Sequence, residues 1–362
     1  MEKLEQDLLD RLNALAVFLD DQKIWFERDH KLQYETYFKT GGLAKVFICP
    51  MNMEAFVSAV KYCRSSRLEY KIIGLTSNVF FLTEVDYTVV ISTKMLNRVD
   101  VADGKVDVEC GYSLGEFVRV MLLQHSTGYE ALEGSPGSIG GAVVMNAGAY
   151  DATISDHLVE VRFLDENSHI QVLGKDTCSF GFRSSRFRGS NDVILSVRFS
   201  VVKGNVQNIS RKIEKFHIAR HCYQEFSFPN LGSLFSLKRN IYYSVFKEKS
   251  KSRLAVYLAL YAILYNRVGK FLRRKRPHQV IFNKLLTGYL KTDFYAPSQK
   301  SMNILSNNGL NSTRDMIRFI KVAQDALGSD AHIENEIVTS GIFSVKEDFK
   351  DTFEIVRRMG LE

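Results

Sequence analysis

One glycine-rich stretch, from Gly134 to Asp151, most strongly restricts what this chain can fold into. Its sequence, GSPGSIGGAVVMNAGAYD, contains five glycines and three alanines and only one charged residue. Glycine adopts positive φ and lets a ligand approach bare backbone. Together with the serine hydroxyls, the free N–H groups form the kind of donor cluster that binds an anion, most naturally a diphosphate. The alternative is a tight turn packed against a strand, which would not require eighteen residues of this composition.

The spacing of these glycines differs from two common nucleotide-binding motifs. It does not match the GxGxxG turn, and no Lys-Ser or Lys-Thr pair follows it as in a phosphate-binding loop. A second turn, GLTSN at 74–78, follows a short apolar strand and can also direct backbone N–H groups toward a phosphate. An ordinary turn remains the alternative interpretation of 74–78.

Hydrophobic periodicity predicts mixed helices and strands along the chain. Residues 1–21 read as an amphipathic helix, and a helical pattern returns from about 205. Ser113 with Glu116, and Ser312 with Asp315, have the spacing of capping boxes at helix starts. The predicted strands are AKVFICP (44–50), YKIIG (70–74), YTVVIST (87–93), KVDVECG (105–111) and, from residue 158 on, LVEVRFLD, HIQVLG and DVILSVRFSV.

Composition excludes several classes of protein. Hydrophobic residues make up 45% and charged residues 25% of the 362 residues, which is typical of globular proteins and excludes general disorder. The acidic N-terminus does not resemble a signal peptide, and no apolar run reaches about 18 residues, the length of a spanning helix. The five cysteines have no CxxC spacing, so we expect reduced thiols, a cytoplasmic location and no metal site.

The positive charge is concentrated in one segment. Residues 238–276 contain twelve Lys or Arg and one acid, for a net charge of +11, whereas the whole chain carries +7 and the remainder therefore −4. Inside this segment, 254–268 is apolar on nearly all sides and carries tyrosines at 257, 261 and 265. One interpretation is a helix packed on its own domain or in an oligomer interface. Another is a peripheral membrane anchor or protein contact through 238–276. We expect no nucleic-acid partner, because the aromatic residues are not interleaved with the basic ones.

The glycine-rich stretch resembles the flavin-binding signature of the UDP-N-acetylenolpyruvoylglucosamine reductases. Other segments resemble that family in the same order, so the resemblance spans about residues 34–345. The absence of an extra lobe after 180–187 makes the chain similar to the shorter type of the family. The supporting segments are YFKTGG (37–42), GLTSN (74–78), FGFRSSRF (180–187), GSLF (232–235) and IENEI (333–337).

The resemblance implies an α+β protein with an FAD-binding fold of the vanillyl-alcohol-oxidase (PCMH) type and a C-terminal α/β substrate-binding domain. It implies non-covalent FAD, NADPH as hydride donor and a nucleotide-sugar substrate in peptidoglycan precursor synthesis. The implied FAD-binding residues are Gly74, Thr76, Ser77, Asn78, Ser135, Gly137, Ser138, Ile139, Gly140, Gly141, Asn146, Ala147 and Gly148.

The resemblance also implies three catalytic residues, Arg183, Ser233 and Glu336. Arg183 and Glu336 would lie at the substrate carboxylate, and Ser233 would donate the proton. A guanidinium is planar and permanently charged, so it suits the negative charge that develops beside the substrate carboxylate. From composition alone, each residue could instead form an ordinary ion pair or turn.

Several positions depart from the family pattern. The family usually has more glycine in the 74–78 turn, where this chain has Leu75 and Thr76. The family usually continues its serine motif with Phe-Lys-Asn-Pro, whereas this chain has Ser236, Leu237 and Lys238 after Phe235. A family lysine before the motif is also missing, with Tyr223 nearest to its position. Because those residues help the family to hold the substrate phosphates, two alternatives remain: a related enzyme that reduces a different unsaturated nucleotide-sugar, and a flavin-binding scaffold without turnover.

Four units are expected along the chain. They are an N-terminal helical extension (1–33), an FAD-binding domain of two subdomains (34–203), a substrate domain (204–345) with the inserted basic segment 236–283, and a C-terminal helix (346–362).

Overall fold

The computed structural model describes residues 2–237, 241–249, 251–265, 298, 300–328 and 331–359. The helices are α1 (Glu2–Asp21), α2 (Leu32–Glu35), α3 (Met53–Ser65), α4 (Leu114–Leu123), α5 (Ile139–Val144), α6 (Val206–Tyr223), α7 (Ile241–Lys249), α8 (Lys251–Tyr265), α9 (Thr313–Leu327) and α10 (Lys350–Arg358). The strands are β1 (Phe26–Lys31), β2 (Leu43–Ile48), β3 (Tyr70–Ile73), β4 (Val79–Phe80), β5 (Val85–Ser92), β6 (Val99–Ala102), β7 (Lys105–Glu109), β8 (Gly148–Ala149), β9 (Ala152–Thr153), β10 (Leu158–Leu164), β11 (Ile170–Gly174), β12 (Val193–Ser200), β13 (Asn230–Ser233), β14 (Phe235–Ser236), β15 (Ile304–Ser306), β16 (His332–Ile333), β17 (Glu336–Ile337) and β18 (Ile342–Val345).

The first sheet is mixed and has β5 at its centre. β2 and β3 run parallel to β5, whereas β1 pairs antiparallel with β2. β18 pairs antiparallel with the first part of β5, and β3 pairs with its second part. The residues of β5 are almost entirely buried, which explains its continuous apolar run. Leu12 and Leu15 of α1 and Phe56 and Val60 of α3 pack in the core on this sheet.

The second sheet is antiparallel, in the order β11-β10-β12-β7-β6. Buried and less buried residues alternate along β7 and through most of β12, as expected when one face of a sheet packs on a core. The short helix α5 packs against β7 and β12. This contact places the start of α5, and therefore the glycine-rich stretch, beside the second sheet.

A third lobe is mainly helical. Tyr242 and Phe246 of α7 are fully buried in one cluster with Met316 and Ile320 of α9. Tyr257 of α8 is 3% exposed and lies beside the α7 aromatics. This side of α8 therefore matches the interpretation of a helix packed on its own lobe. The tyrosine at 265 and the basic cluster at 273–276 lie outside the residues whose side chains the structure describes.

Two strands near the C-terminal end of the chain pair with strands between residues 79 and 92. β17 pairs in parallel with β4, with Glu336 opposite Val79, and β18 joins the first sheet. β1, within the expected N-terminal extension, and β18, at the end of the expected substrate domain, both belong to the first sheet. Strand pairing over long sequence separations is not encoded in local periodicity.

Two predicted helix starts have different outcomes. At α9, the Ser312 hydroxyl and the Asp315 carboxylate bond each other's backbone N–H, so the capping box is complete. At α4, the Ser113 hydroxyl accepts from the Glu116 N–H, but the structure gives no return bond from the Glu116 side chain. The predicted capping box at Ser113 is therefore only a serine N-cap.

Candidate functional site

A cleft of about 630 Å³ lies where the two predicted cofactor loops meet the segment before β13. Gly74 and Gly137 line it, as do Phe226 and Phe228. Lys94 adds a cation to its wall. This volume is in the range typical of clefts that bind cofactors and similar small molecules.

The two cofactor loops contact each other directly. The Ser77 hydroxyl donates to the Pro136 carbonyl at 3.0 Å. Gly137 has φ +128°, a conformation that L side chains rarely adopt, and a Cβ on Gly74 would lie 2.0 Å from Ser138 Oγ. This approach of the two loops therefore requires the absence of a side chain at both glycines.

The start of α5 is fixed by packing as much as by polar contacts. Ser138 caps the helix by accepting from the Gly141 N–H at 3.4 Å. Ile139 is fully buried, and a Cβ on Gly140 would lie 3.0 Å from the Cβ of Cys110. Ile139 and Gly140 thus hold this loop in place through buried contacts, whereas Gly141 is exposed at the start of α5.

Thr76 occupies the backbone conformation for which glycine is usual. Its φ is +53°, in the left-handed region that is strained for a β-branched residue. The buried Thr76 Oγ1 accepts from the Tyr37 N–H at 2.7 Å. The departure from the family's glycine therefore keeps the loop conformation and adds an anchor to the chain before β2.

The second half of the glycine-rich stretch lies against the Arg183 loop. Asn146 has φ +41° and donates from Nδ2 to the Gly181 carbonyl at 2.9 Å. The Ala147 N–H bonds back into the end of α5. The Gly148 carbonyl accepts from Nη1 of Arg183 at 3.0 Å. The predicted cofactor stretch and the predicted catalytic arginine are thus directly connected.

The three predicted catalytic residues have different partners. Nε of Arg183 lies 3.6 Å from Oε2 of Glu334, and not in an ion pair with Glu336. Glu336 pairs with Lys71. Ser233 is exposed near the end of β13. Two ion pairs and an accessible hydroxyl are therefore arranged along adjoining segments.

The segment with both glutamates connects the Asn78 turn to the serine strand. Asn78 donates from Nδ2 to the Glu334 carbonyl and accepts from the Glu336 N–H, both at 2.9 Å. The Glu334 N–H donates to the Leu234 carbonyl, one residue after Ser233, at 2.9 Å. The predicted cofactor loop and the segment that contains Ser233 are therefore held by the same short stretch of backbone.

Two further residues of this site were not predicted from the sequence. Lys71 is a charged residue within the apolar strand YKIIG directly before a cofactor loop, which is a local signal of function. Asn335 is buried and donates from Nδ2 to Asn78 Oδ1 and to the Leu231 carbonyl, each at 2.8 Å. Its role has no local signal, because both partners are distant in the chain.

Glu225 is a buried carboxylate on the cleft wall. Burial by itself raises its pKa, but hydrogen bonds from the Ser227 N–H and the Ser298 hydroxyl, with the charge of Lys300, outweigh burial and lower the pKa. Glu225 is therefore ionised near neutral pH, and its charge is held by these donors.

The arrangement fits a bound diphosphate cofactor. The 74–78 turn and the glycine-rich loop, which have positive φ at Thr76 and Gly137, meet at the cleft, as the resemblance predicts for FAD. Within the part of the chain that the structure describes, three buried polar atoms of the glycine-rich stretch or of residues bonded to the predicted cofactor loops have no partner: Asn146 Oδ1, Asn335 Oδ1 and Arg220 Nε. Buried polar groups are normally satisfied, so unpartnered atoms on or next to the predicted cofactor loops indicate a site built for a polar ligand.

Comparison with known proteins agrees with this geometry. The FAD binding domain family matches residues 44–174. The UDP-N-acetylenolpyruvoylglucosamine reductase of Caldanaerobacter subterraneus subsp. tengcongensis is 31% identical over 228 residues, which cover 63% of this chain and 74% of that protein. The enzyme of the same name from Clostridium kluyveri is 33% identical over 217 residues, covering 60% and 70%.

The crystal structure of UDP-N-acetylenolpyruvylglucosamine reductase (MurB) from Thermus caldophilus has a similar fold. It superimposes with a TM-score of 0.61 at 20% identity and covers 87% of this chain and 98% of that one. The predicted α+β fold with an FAD-binding domain of the vanillyl-alcohol-oxidase type is confirmed, as is the resemblance on which it was based. This chain belongs to the UDP-N-acetylenolpyruvoylglucosamine reductase family.

Proposed function

We propose that this chain is the FAD-dependent reductase that converts UDP-N-acetylenolpyruvoylglucosamine to UDP-N-acetylmuramate, a peptidoglycan precursor, with NADPH as the hydride donor. Its family and its FAD binding domain support this reaction. We assign the reaction to the cytoplasm, supported by the four buried free thiols of Cys49, Cys63, Cys110 and Cys178.

One observation carries the proposal. The segment with Glu334 and Glu336 bonds both to the Asn78 turn and to the strand that follows Ser233. Arg183 bonds the Gly148 carbonyl and faces Glu334. Arg183, Ser233 and Glu336 therefore lie in segments that are hydrogen-bonded to one another or to the proposed cofactor loops.

The side chains suit the chemistry of reducing an enolpyruvyl ether. When bound, FAD would supply the hydride-transfer chemistry between NADPH and the substrate double bond. Arg183 would hold the substrate carboxylate and stabilise the negative charge that develops beside it. Ser233 would deliver the proton to the adjacent carbon, and Glu336 would help to position the reacting group.

The ion pairs explain how these charges are kept in place. Glu334 holds Arg183, and Lys71 holds Glu336, so each charged group has a partner before substrate binds. The FAD-binding set that we propose is Gly74, Thr76, Ser77, Asn78, Ser135, Gly137, Ser138, Ile139, Gly140, Gly141, Asn146, Ala147 and Gly148. Of these, Ile139 and Gly140 contribute by packing the loop.

The test separates the two half-reactions by anaerobic stopped-flow absorbance. Ser233→Ala should leave reduction of the protein by NADPH unchanged and slow reoxidation by UDP-N-acetylenolpyruvoylglucosamine by at least about a hundredfold, because general acid catalysis contributes that much. The exposed serine of α3, changed in Ser65→Ala, is the matched control and should leave both rates unchanged.

The outcomes are distinct. Equal reoxidation rates in Ser233→Ala and the unchanged protein would remove Ser233 from the reaction. Reduction by NADPH without reoxidation in the unchanged protein would point to a different acceptor. A colourless protein that takes up no FAD would contradict the reductase function altogether.

We further propose that α8 makes a peripheral contact with an anionic membrane. Val256, Leu258 and Ile263 of α8 are 45–58% exposed, and basic residues precede and follow the helix. Apolar groups with basic flanks suit an anionic lipid surface. No helix among the described residues is long and apolar enough to cross a bilayer.

Vesicle sedimentation tests this contact. The triple variant Arg273→Ala, Arg274→Ala, Arg276→Ala should lose binding to anionic vesicles, because each basic residue near such a surface contributes about 1 kcal/mol. Unchanged binding would contradict the proposal. A soluble complex with another protein that these substitutions abolish would redirect it to a protein contact.

A further inference from the structure

We propose that Arg220 of α6 is a positioning residue that charges the diphosphate-binding part of the cleft by acting through Ser135. The inference depends on the proposed function, since it assigns a role toward a diphosphate that the reaction brings to this site. Arg220 is 7% exposed and donates from Nη2 to Ser135 Oγ at 2.6 Å and to the Ala131 carbonyl at 3.2 Å.

The guanidinium of Arg220 is a buried cation without a carboxylate partner. Among the described residues, no carboxylate lies within 4.0 Å of it, and its Nε has no hydrogen-bond partner. Burial lowers the pKa of Arg220, and the charge of Arg183 adds to this effect, whereas Tyr150 and Glu133 oppose it. A buried charge that lacks a counter-ion is costly, so its retention indicates that an anion completes the site.

Other contacts hold the side chain in place without neutralising it. Its guanidinium lies 5.6 Å from the centre of the Tyr150 ring, a cation–π contact. Gly134 has φ +67°, and a Cβ there would lie 2.9 Å from Cδ of Arg220. The first glycine of the glycine-rich stretch therefore also leaves room for the arginine.

The contact with Ser135 determines where the serine can donate. Its hydroxyl oxygen accepts from Arg220, and its backbone N–H is already bonded to the Leu132 carbonyl. The hydroxyl proton is therefore available for another acceptor, and the adjacent guanidinium makes it a stronger donor. A phosphate oxygen is an acceptor that matches both the donor and the positive charge.

Two diphosphates take part in the reaction, that of FAD and that of the nucleotide-sugar. Ser135 lies in the predicted FAD stretch, which favours the cofactor. Arg220 also lies three residues before Tyr223 on the same helix, near the position of the missing family lysine, which is the argument for the substrate. Both sources present the same chemistry, a diphosphate ester.

The experiment measures binding and not turnover. Apoprotein of Arg220→Met, Arg220→Lys and Ser135→Ala is titrated with FAD by flavin fluorescence, and each FAD-saturated protein is then titrated with UDP-N-acetylenolpyruvoylglucosamine. We expect Arg220→Met to weaken one of the two ligands by about tenfold or more, the equivalent of one hydrogen bond to a charged group. Arg220→Lys should restore part of the loss, and Arg211→Met, at an exposed site on the same helix, should change neither affinity.

The two titrations distinguish the diphosphate of FAD from that of the nucleotide-sugar, and they can also overturn the proposal. A weaker FAD affinity assigns the charge to the cofactor, and a weaker substrate affinity at full FAD occupancy assigns it to the substrate. Unchanged affinity for both ligands in folded Arg220→Met overturns the proposal. If Arg220→Met does not fold, unchanged affinities in Ser135→Ala overturn it instead. Failure of the proposed reaction would appear as lack of turnover in the unchanged protein and would leave these FAD affinities measurable.

Discussion

The two loops that meet at the cleft both contain residues with positive φ, but these residues reach that conformation by different means. In the glycine-rich loop, Gly134 and Gly137 have positive φ, which they adopt without strain because they have no side chain. In the loop at 74–78, Thr76 has φ +53° and is anchored by the Tyr37 N–H. Positive φ depends on the absence of a side chain at Gly137 and is accompanied by a hydrogen bond at Thr76, so these two positions should respond differently to substitution.

This difference explains how the chain tolerates a departure from the family pattern. A β-branched residue at positive φ is strained by about 1–3 kcal/mol, and the structure around it must offset that strain. The Thr76 hydroxyl supplies part of the offset and also satisfies a donor of the chain before β2. At Gly137 no equivalent exchange is available, because the conformation at φ +128° disfavours any L side chain.

The largest effect is expected for Gly137→Ala. We expect the free energy of unfolding to fall by about 3 kcal/mol, because alanine is forced into a region occupied almost only by glycine. FAD affinity should fall with it, since Gly137 lines the cleft. Urea denaturation and FAD titration measure the two effects.

Gly174→Ala is the matched control, since a Cβ there meets no atom within 4 Å and its φ is ordinary. The control should change stability by less than about 1 kcal/mol. A Gly137→Ala protein as stable as the control would show that the loop relaxes easily and would remove the distinction between the two loops.

A smaller effect is expected for Thr76→Val. Valine keeps the β-branched shape and the strain but removes the acceptor of the Tyr37 N–H, so the free energy of unfolding should fall by about 1–3 kcal/mol. Thr76→Gly loses the same bond but also relieves the strain, and it should therefore be the more stable variant. If the valine and glycine variants are equally stable in urea denaturation, backbone strain at this position is negligible.

The smallest effect is expected at Glu225, which lines the same cleft from the segment before β13. Unlike Gly137 and Thr76, Glu225 has an ionisable side chain. Its folded-state pKa lies below the ordinary 4.5, so the stabilisation is present above pH 4.5 and is lost as the pH falls through the lowered value. Glu225→Gln should flatten the loss of stability below pH 4.5, by less than about 2 kcal/mol.

Thermal denaturation from pH 3 to pH 7 measures this effect. The variants Gly137→Ala and Thr76→Val should lower the whole profile without changing its slope, because neither adds nor removes an ionisable group. A Glu225→Gln profile parallel to that of the unchanged protein would show that this carboxylate is not held by its neighbours.

The sequence alone determined the local features. The periodicity predicted most strands and helices, the serine and aspartate spacing predicted the cap of α9, and the ordered motifs predicted the family and its FAD-binding fold. The strands, helices and cap depend on neighbours within a few residues, so periodicity and spacing are sufficient to predict them, whereas the family and its fold followed from the resemblance of the ordered motifs.

The tertiary structure alone decided the partners. It paired β1 and β18 with the first sheet, Arg183 with Glu334 and Lys71 with Glu336, and it brought Arg220 to Ser135. Each pair joins residues far apart in sequence, and several candidates of equal charge exist for each. Only packing of the two sheets and the third lobe selects among them, because ion pairs form where burial and geometry allow and not where spacing suggests.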